Sequence, residues 1–393
     1  MPRHVILTNQ LMRPIAHFAH ASRIDSIVHV GAAAGVFPDL RLAGDNVGRV
    51  DAIAQTRRMF DNLETELALM GAKLSDVVRL KAFVADVRDI AKYLEIYAER
   101  FASVRPAHTV IGSWAFPLPQ AAVELDAVAI IGSHGKVLES AAVPAFPGCA
   151  PAGVLIDGFH YATALPVGVD KAAARGIDEQ ISATLRNLAA MLKSAGLSAR
   201  EVCNIHVTVA DIRDVAKLEA ALLLFFDRSL PTLTIVGAPL ERAEFLLTIE
   251  SVAVKGGGQP VSCKSAPNVA GKPVPAMLAG NTLFLSGQMG LSDASPQGSE
   301  VEQQTRTAWE KLHGLIDAAG FDSDSLLRTN NILTDWRDYA GFNAGYGANM
   351  QPPYVPRATV LGCLSSSRAR VQIEGVAHRR GAEATILQVT PAA

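Results

Sequence analysis

A seven-residue pattern that occurs three times at one spacing constrains this chain more than any other feature of its sequence. The pattern reads Pro-x-x-Thr, two aliphatic residues and Gly, and its copies cover residues 106–112, 231–237 and 356–362. The prolines that open the copies lie 125 residues apart both times. A fixed period of this length indicates a repeated folding unit. We therefore predict that the 393-residue chain contains three units of one fold.

The sequence around the first copy predicts a mixture of strands and helices. Apolar residues step by three and four from Ile53 to Met70, as on the buried face of a helix, and Gly71 supplies a stop. Asp86 is placed to cap a second helix. The predicted order for unit 1 is strand 27–35, strand 40–42, helix 53–70, strand 77–84, helix 86–101, strand 108–114 and strand 121–131.

The other two units carry the same signals at matching distances. Each unit has a glycine that ends its first helix and an aspartate that caps its second, and Arg-Asp follows that aspartate closely in all three. The stops are Gly71, Gly196 and Gly320, and the caps are Asp86, Asp211 and Asp335. The period therefore covers whole folding units rather than a single strand.

Two segments rich in Pro and Gly, 133–148 and 255–275, are typical of connections between units. We divide the chain into unit 1 (1–132), unit 2 (149–254) and unit 3 (276–393), with these two segments as linkers. Each unit offers one sheet and two helices, so its helices cover only one sheet face. The predicted class is α+β, with three tethered units closed into a pseudo-threefold trimer around the uncovered faces.

Composition excludes several functions. The net charge is -2 with no basic stripe, which argues against nucleic acid or an anionic membrane as partner. No apolar run reaches the length of a membrane-spanning helix. The four cysteines are scattered without a Cys-x-x-Cys pair. We expect free thiols, no structural metal and a cytoplasmic location.

With these elements in this order, the chain resembles the Rid (YjgF-like) family of enamine/imine deaminases. The resemblance covers nearly the whole chain, with one match to the family in each of the three units, and is most specific in unit 3. The matching segments there are Leu283-Phe284-Leu285-Ser286-Gly287-Gln288, Gln304-Thr305-Arg306, Tyr339-Ala340-Gly341-Phe342-Asn343, Pro356-Arg357-Ala358-Thr359-Val360 and Val371-Gln372-Ile373-Glu374-Gly375-Val376-Ala377. It implies a central β-barrel, helices outside, and clefts between units, all within one covalent, monomeric pseudo-trimer; further association stays open.

The resemblance also implies site residues. Arg357 is expected to bind a substrate carboxylate, since a guanidinium matches a carboxylate bidentately. Glu374 is expected to position water as a general base, and the backbone at Ser286 and Gly287 is expected to hold the substrate. The resemblance implies no cofactor.

Units 1 and 2 depart from this pattern. They keep an acid where unit 3 has Glu374, namely Asp126 and Glu250, but neither has the arginine. Its position falls on Ala107 or His108 in unit 1 and on Thr232 or Leu233 in unit 2, depending on a one-residue choice of register. His108, Asp126 and Glu250 are therefore the site candidates in the two divergent clefts.

Residues expected to face the shared interior differ between the units. On one strand they are Lys81, His206 and Asn330, and on another His29, His160 and Phe284. The histidines of unit 1 at positions 17, 20, 29 and 108 offer a metal site as an alternative, but their spacing fits no ligand helix. We interpret them as structural and expect no metal.

The leading hypothesis is a hydrolase or deaminase for a small carboxylate-bearing imine or enamine, with its site between units. Two alternatives remain open. One is a related hydrolase or lyase for another small metabolite, such as a cyclic amide or a chorismate-like compound. The other is a pseudoenzyme that only binds a metabolite.

Overall fold

The computed structural model describes residues 3–132, 136–146, 148–291, 298–381 and 384–389. Its elements fall into three α+β units that follow one another along the chain. Unit 1 comprises β1 (Arg3–Thr8), β2 (Ala21–Ile24), β3 (Ile27–Ala34), α1 (Ala52–Leu69), β4 (Val77–Val84), α2 (Ile90–Arg100), β5 (Ala107–Gly112) and β6 (Val123–Ile130).

Units 2 and 3 repeat this order. Unit 2 comprises β7 (Lys136–Val137), β8 (Val154–Ile156), β9 (Phe159–Ala164), α3 (Gly176–Ser194), β10 (Val202–Val209), α4 (Val215–Phe225), β11 (Thr232–Gly237) and β12 (Leu247–Val254). Unit 3 comprises β13 (Gln259–Val261), β14 (Ala276–Ala279), β15 (Thr282–Met289), α5 (Glu300–Ala318), β16 (Leu326–Leu333), α6 (Tyr339–Asn349), β17 (Arg357–Leu361), β18 (Val371–His378) and β19 (Ala384–Val389).

The six strands β1–β6 of unit 1 and the six-strand sets of units 2 and 3 build sheets with the same internal order, and β19 of unit 3 adds a seventh strand to the sheet of unit 1 by pairing with β1. The sheets read β19-β1-β2-β3-β6-β4-β5, β11-β10-β12-β9-β8-β7 and β13-β14-β15-β18-β16-β17. The strand that carries the Pro-x-x-Thr pattern lies at one edge of each sheet and is parallel to its neighbour. β7 and β13, which lie within the segments predicted as linkers, add an edge strand to the unit that follows.

The helices cover one face of each sheet, as predicted. In unit 1, Phe60, Leu63 and Leu67 of α1 join Leu125 and Ala127 of β6 in one core cluster. Because side chains alternate along a strand, the residues between them on β6 point to the opposite face. That face turns toward the other two units.

The three units close into a ring, because every pair of units is in contact. Unit 1 meets unit 2 where the Gly112 amide donates to the carbonyl of Pro239 at 2.8 Å, and unit 2 meets unit 3 where Gly237 and Cys363 exchange backbone hydrogen bonds at 2.8 Å. Unit 3 meets unit 1 where Ser22 Oγ donates to the carbonyl of Leu327 at 2.6 Å. We call these contacts the 1/2, 2/3 and 3/1 interfaces.

The predicted stops are confirmed, and the predicted caps lie one short turn before the second helices. Gly71, Gly196 and Gly320 follow the first helices with φ of 76°, 70° and 70°. The capping aspartates each accept from the backbone amide two residues later, at Arg88, Arg213 and Arg337. They begin a short 3-10 turn that leads into the second helix of each unit.

Two details of the predicted unit are wrong. Residues 40–42 form no strand: only an isolated bridge joins Val36 and Leu42, and the short partner of β3 is β2, which precedes it. Ile53 is 46% exposed and does not join the buried face of α1. It lies in the first turn, on the side that faces away from the buried residues Ala52, Gln55 and Thr56.

Candidate functional site

The strand pairing settles the register that the sequence left open at the arginine position. Arg357 lies beside Thr329 on the parallel neighbouring strand, and Thr329 is equivalent to Leu80 in unit 1 and Ile205 in unit 2. The residues beside Leu80 and Ile205 are His108 and Leu233. These two residues, rather than Ala107 and Thr232, therefore occupy the arginine position.

Arg357 is buried at the 3/1 interface and held by its own unit. Its Nη2 donates to Asn343 Oδ1 at 2.5 Å, and its guanidinium lies 4.3 Å from the ring centre of Tyr346 and 5.2 Å from that of Phe342. Its Nη1 is buried and makes no hydrogen bond with a residue that the structure describes. Nη1 of Arg357 thus remains able to donate a hydrogen bond to a ligand.

Glu124 of unit 1 lies across the same interface. Burial raises the pKa of the Glu124 carboxyl to about 8, Asp126 adds to the rise, and Arg357 and the backbone amide of Thr359 oppose it. Its Oε1 is buried and has no hydrogen-bond partner among the described residues. A buried acid of unit 1 and a buried guanidinium of unit 3, each with an unused polar atom, therefore interact electrostatically across the 3/1 interface.

The backbone of unit 1 approaches Arg357 at a bulge in β3. The register of β3 against β6 shifts between Val30 and Ala33, and Ala32 has a φ of 22°. A Cβ at Gly31 would lie 2.5 Å from the Arg357 backbone nitrogen and 2.8 Å from Pro356 Cβ. Only glycine allows the two strands this close approach.

Replacing Gly31 with alanine is expected to destabilise the protein by about 1–3 kcal/mol, because the clash involves backbone atoms that can move only if the 3/1 interface opens. Urea unfolding followed by circular dichroism measures this change. Ala32→Gly is the control, since glycine accepts the positive φ at that position. Equal stability of Gly31→Ala and the parent protein would contradict the packing of this interface.

The segment that precedes β2 lies over the 3/1 interface. The His17 ring makes an edge contact with Tyr354 at 5.1 Å, and the Ala19 amide donates to the carbonyl of Val355 at 3.2 Å. Burial and the charge of Arg357 both lower the pKa of His17. His17 is therefore a further polar side chain beside the arginine, and it comes from unit 1.

Ser286 and Gly287, predicted to share a site with Arg357, lie at the 2/3 interface instead. Ser286 Oγ accepts from the Leu233 amide at 3.0 Å, and the Gly287 amide donates to Thr234 Oγ1 at 3.1 Å. Each cleft takes its pattern strand from one unit and its β3-type strand from the next, so residues of one unit are divided between two clefts.

Glu374 is also placed away from Arg357, in the shared interior. It accepts from Thr234 Oγ1 at 2.6 Å and from Asn330 Nδ2 at 3.0 Å, and His206 Nε2 lies 2.6 Å away. Burial opposes its ionisation, but His206 and the other partners prevail and lower the pKa of Glu374 to about 2.

Asp126 and Glu250, the equivalents of Glu374, lie in the same interior. Arg79 contacts both carboxylates, Lys81 Nζ lies 2.6 Å from Glu250 Oε1, and Arg328 Nη1 lies 3.4 Å from Asp126 Oδ1. Lys81 and Arg79 lower the pKa of Glu250 despite its burial. The three acids thus belong to one buried ion network that joins all three units. Their occurrence in every unit reflects this shared network.

The predicted interior residues are mostly confirmed. Lys81, His206 and Asn330 face the shared interior, and His29 and Phe284 line a cavity of about 50 Å³ there. The prediction for His160 is wrong, because its Nε2 contacts the carbonyl of Ala152 and Tyr161 occupies the interior position instead. Unit 2 lacks the bulge that is present in β3 of unit 1. Counting residues along the sequence therefore does not give the position in unit 2 that is equivalent to His29.

The four histidines of unit 1 that were considered as metal ligands do not come together. His17 lies at the 3/1 interface, His29 faces the interior, His108 lies at the 1/2 interface, and His20 Nε2 contacts the carbonyl of Met12 at 2.8 Å. Across the described ranges, no group of His, Cys, Asp or Glu side chains is placed to hold a metal ion. The same part of the chain contains no helix long and apolar enough to cross a membrane.

Sequence reasoning missed Glu124, although a signal for it was present. Glu124 precedes Asp126 by two residues and shares its strand face. The equivalent positions in units 2 and 3 are Thr248 and Gln372. An acid therefore occurs at this position in only one of the three units, and the same is true of the arginine at the Arg357 position. Both residues lie at the 3/1 interface.

Comparison with known proteins identifies the family. The model of the Endoribonuclease L-PSP family matches residues 8–131, 159–255 and 263–379, which together make up most of the chain. The chain belongs to this family, with three tandem copies of its domain, and the resemblance to Rid (YjgF-like) proteins is confirmed.

Individual relatives match about one unit at a time. A RutC family protein of Pyrococcus abyssi is 29% identical over 129 residues, which is 33% of this chain and 98% of that protein. The 3-aminoacrylate deaminase RutC of Acinetobacter baylyi is 33% identical over 129 residues, again 33% of this chain and 98% of that protein. The solved structure of the Rid family protein YyfA from Yersinia pestis is 24% identical, with a TM-score of 0.30 over 33% of this chain and 99% of its own.

Proposed function

We propose that this protein is a cofactor-free deaminase of the hydrolase type, acting on a small carboxylate-bearing imine or enamine at the 3/1 interface. The observation that carries the proposal is the meeting of Arg357 and Glu124, each with an unused buried polar atom. Among the three units, only unit 3 has an arginine at the Arg357 position, and only unit 1 has an acid at the Glu124 position. A relative named 3-aminoacrylate deaminase supports the class, since 3-aminoacrylate is a three-carbon carboxylate with an enamine.

Arg357 would recognise the substrate carboxylate. Its guanidinium is fixed by Asn343 and by the rings of Phe342 and Tyr346, so little side-chain freedom is lost on binding. The free Nη1 would donate to one carboxylate oxygen in a site from which water is largely excluded. Charge-assisted hydrogen bonds of this kind are stronger than neutral ones.

Glu124 would act as the general base in hydrolysis. An enamine first accepts a proton on its β-carbon and becomes an imine. The Glu124 carboxylate then takes a proton from water as the water oxygen bonds to the imine carbon. The resulting amino alcohol loses ammonia, with the proton returned to nitrogen, and leaves the carbonyl product. The C=N bond and one water become C=O and NH₃.

The pH dependence follows from the raised pKa of Glu124. Since the base must be ionised, kcat/KM is expected to rise with pH and level off above about 8. Imines generated in situ from amino acids by an amino-acid oxidase serve as substrates, and ammonia release above the buffer rate is measured from pH 6 to 9.

Glu124→Gln is expected to reduce kcat/KM about 100-fold and to remove this pH dependence, because the amide cannot accept the proton. Glu374→Gln is the matched comparison, since that acid lies in the interior network. The folded fraction of Glu374→Gln should retain activity, and its kcat/KM should still rise with pH. If Glu374→Gln loses activity while Glu124→Gln keeps it, the assignment of the base is wrong. Saturable binding of the small carboxylates without any turnover would favour a pseudoenzyme.

A further inference from the structure

A cavity of about 600 Å³ lies at the 1/2 interface. Its volume exceeds those of four other cavities in the molecule, which measure about 330, 130, 50 and 10 Å³. Its walls come from α2 of unit 1, from β9 and α3 of unit 2, and from the segment between β7 and β8. Binding sites for small molecules have volumes of about 300–1,000 Å³, so this cavity has the size of a ligand site.

His108 occupies the arginine position of this cleft and carries no charge. Its Nε2 is 2.8 Å from Tyr93 Oη, its Nδ1 is 3.6 Å from Cys149 Sγ, and its ring stacks on Tyr97 with centres 3.9 Å apart. Burial lowers the pKa of His108 to about 3. The cation that would hold a carboxylate at the 3/1 interface is therefore absent from this position.

The remaining walls are mainly apolar. Leu94 comes from unit 1, and Leu165, Val167 and Met191 come from unit 2. The two arginines at the cavity are already engaged. Arg88 is paired with Asp86, and the guanidinium of Arg242 lies 5.5 Å and 5.3 Å from the ring centres of Phe146 and Phe245. An apolar ligand body fits these walls.

Two acids line this cavity, the exposed Glu95 and the more enclosed Glu241. The Glu241 carboxyl makes no hydrogen bond or ion pair with any residue that the structure describes; burial raises its pKa, and the charge of Arg242 opposes the rise. Burial raises the pKa values of Cys149, Tyr93 and Tyr97, and the charge of Glu241 adds to each rise, so Glu241 lies near the end of the cavity where these residues surround His108. A desolvated acid without a partner is costly unless a ligand supplies one.

We propose that the 1/2 cavity is a second ligand site, which takes a small apolar amine whose ammonium group pairs with Glu241. A carboxylate ligand would be repelled by Glu241, and Arg242, the cation that interacts with Glu241, is stacked on Phe146 and Phe245. A neutral hydrocarbon would leave Glu241 without a partner. An amine satisfies the acid and places its apolar body against Leu94, Leu165 and Met191. This site is separate from the 3/1 interface, so it does not depend on the proposed deaminase activity.

The test uses 2-phenylethylamine as probe and calorimetric titration of the full chain at pH 7.5. Ala91 lies on the exposed side of α2 at the cavity, and Ala216 holds the equivalent exposed position on α4 of unit 2. Ala91→Trp fills the cavity and should abolish binding, while Ala216→Trp should bind as the parent protein does. Glu241→Gln, which keeps the size of the side chain, should weaken binding at least about tenfold.

Three outcomes would overturn the proposal. The first is that 2-phenylethylamine shows no saturable binding to the parent protein. The second is that Ala91→Trp and Glu241→Gln both bind it unchanged, which would place the probe elsewhere. The third is that 3-phenylpropionate, which has a carboxylate in place of the amine, binds as tightly as the amine. Imine hydrolysis measured on the same variants should stay at the parent level.

Discussion

Replacing Arg357 with alanine is expected to lower kcat/KM for imine hydrolysis by roughly 100- to 1,000-fold. The size follows from the cost of removing one partner of a buried, hydrogen-bonded charge pair, about 3–4 kcal/mol. Because the guanidinium would bind the carboxylate before and during the reaction, the loss should appear largely in KM. The rate of ammonia release across a range of imino acid concentrations measures both constants.

Arg357→Lys separates charge from geometry. A lysine keeps the positive charge but lacks the planar fork that Asn343 and the two aromatic rings hold in place. We expect it to recover no more than a small part of the lost activity. Leu233→Val, at the equivalent position of unit 2, should leave kcat/KM unchanged. Parent-level activity in Arg357→Ala would remove the basis for the proposed function.

Replacing Arg79 with methionine is expected to lower the free energy of unfolding by about 3–5 kcal/mol, because it removes the cation that two buried carboxylates share. Arg79 contacts both Asp126 and Glu250, and its guanidinium is one of the links in the network between units 1 and 2. Lys81 and Arg328 remain but cannot replace both contacts. Urea unfolding of the parent and the variant gives the difference.

An exposed ion pair provides the control for this measurement. Arg57 Nη1 lies 2.8 Å from Glu99 Oε2, and both side chains are about half exposed. Arg57→Met should change the unfolding free energy by no more than about 1 kcal/mol, since solvent screens such pairs. A similarly small change in Arg79→Met would mean that the interior network does not hold the three units together.

Local patterns predicted most of each unit. The spacing of apolar residues located α1, and the glycine and aspartate signals placed the helix ends and caps at the correct residues. The strand order around them was also correct from β3 onward in unit 1, but β1 and β2 were missed and a strand was predicted at 40–42. Short edge strands have few residues and weak patterns, and their existence depends on the sheet they join.

The proposed site was harder to predict because it is built from two units. Sequence reasoning combined Arg357 with Ser286, Gly287 and Glu374 of the same unit. The structure distributes these residues over the 3/1 interface, the 2/3 interface and the interior. A repeat shows which positions are equivalent, but it does not show which unit faces which.

The amino-acid sequence by itself determined that three copies of one α+β unit follow each other, and that the arginine occurs in only one of them. Both can be read directly from local sequence patterns and from the spacing of the repeats. Only the tertiary structure decided that Glu124, 233 positions earlier in the chain than Arg357, is its counterpart. Ring closure brings unit 3 back against unit 1, and burial at that contact is what gives the acid its raised pKa.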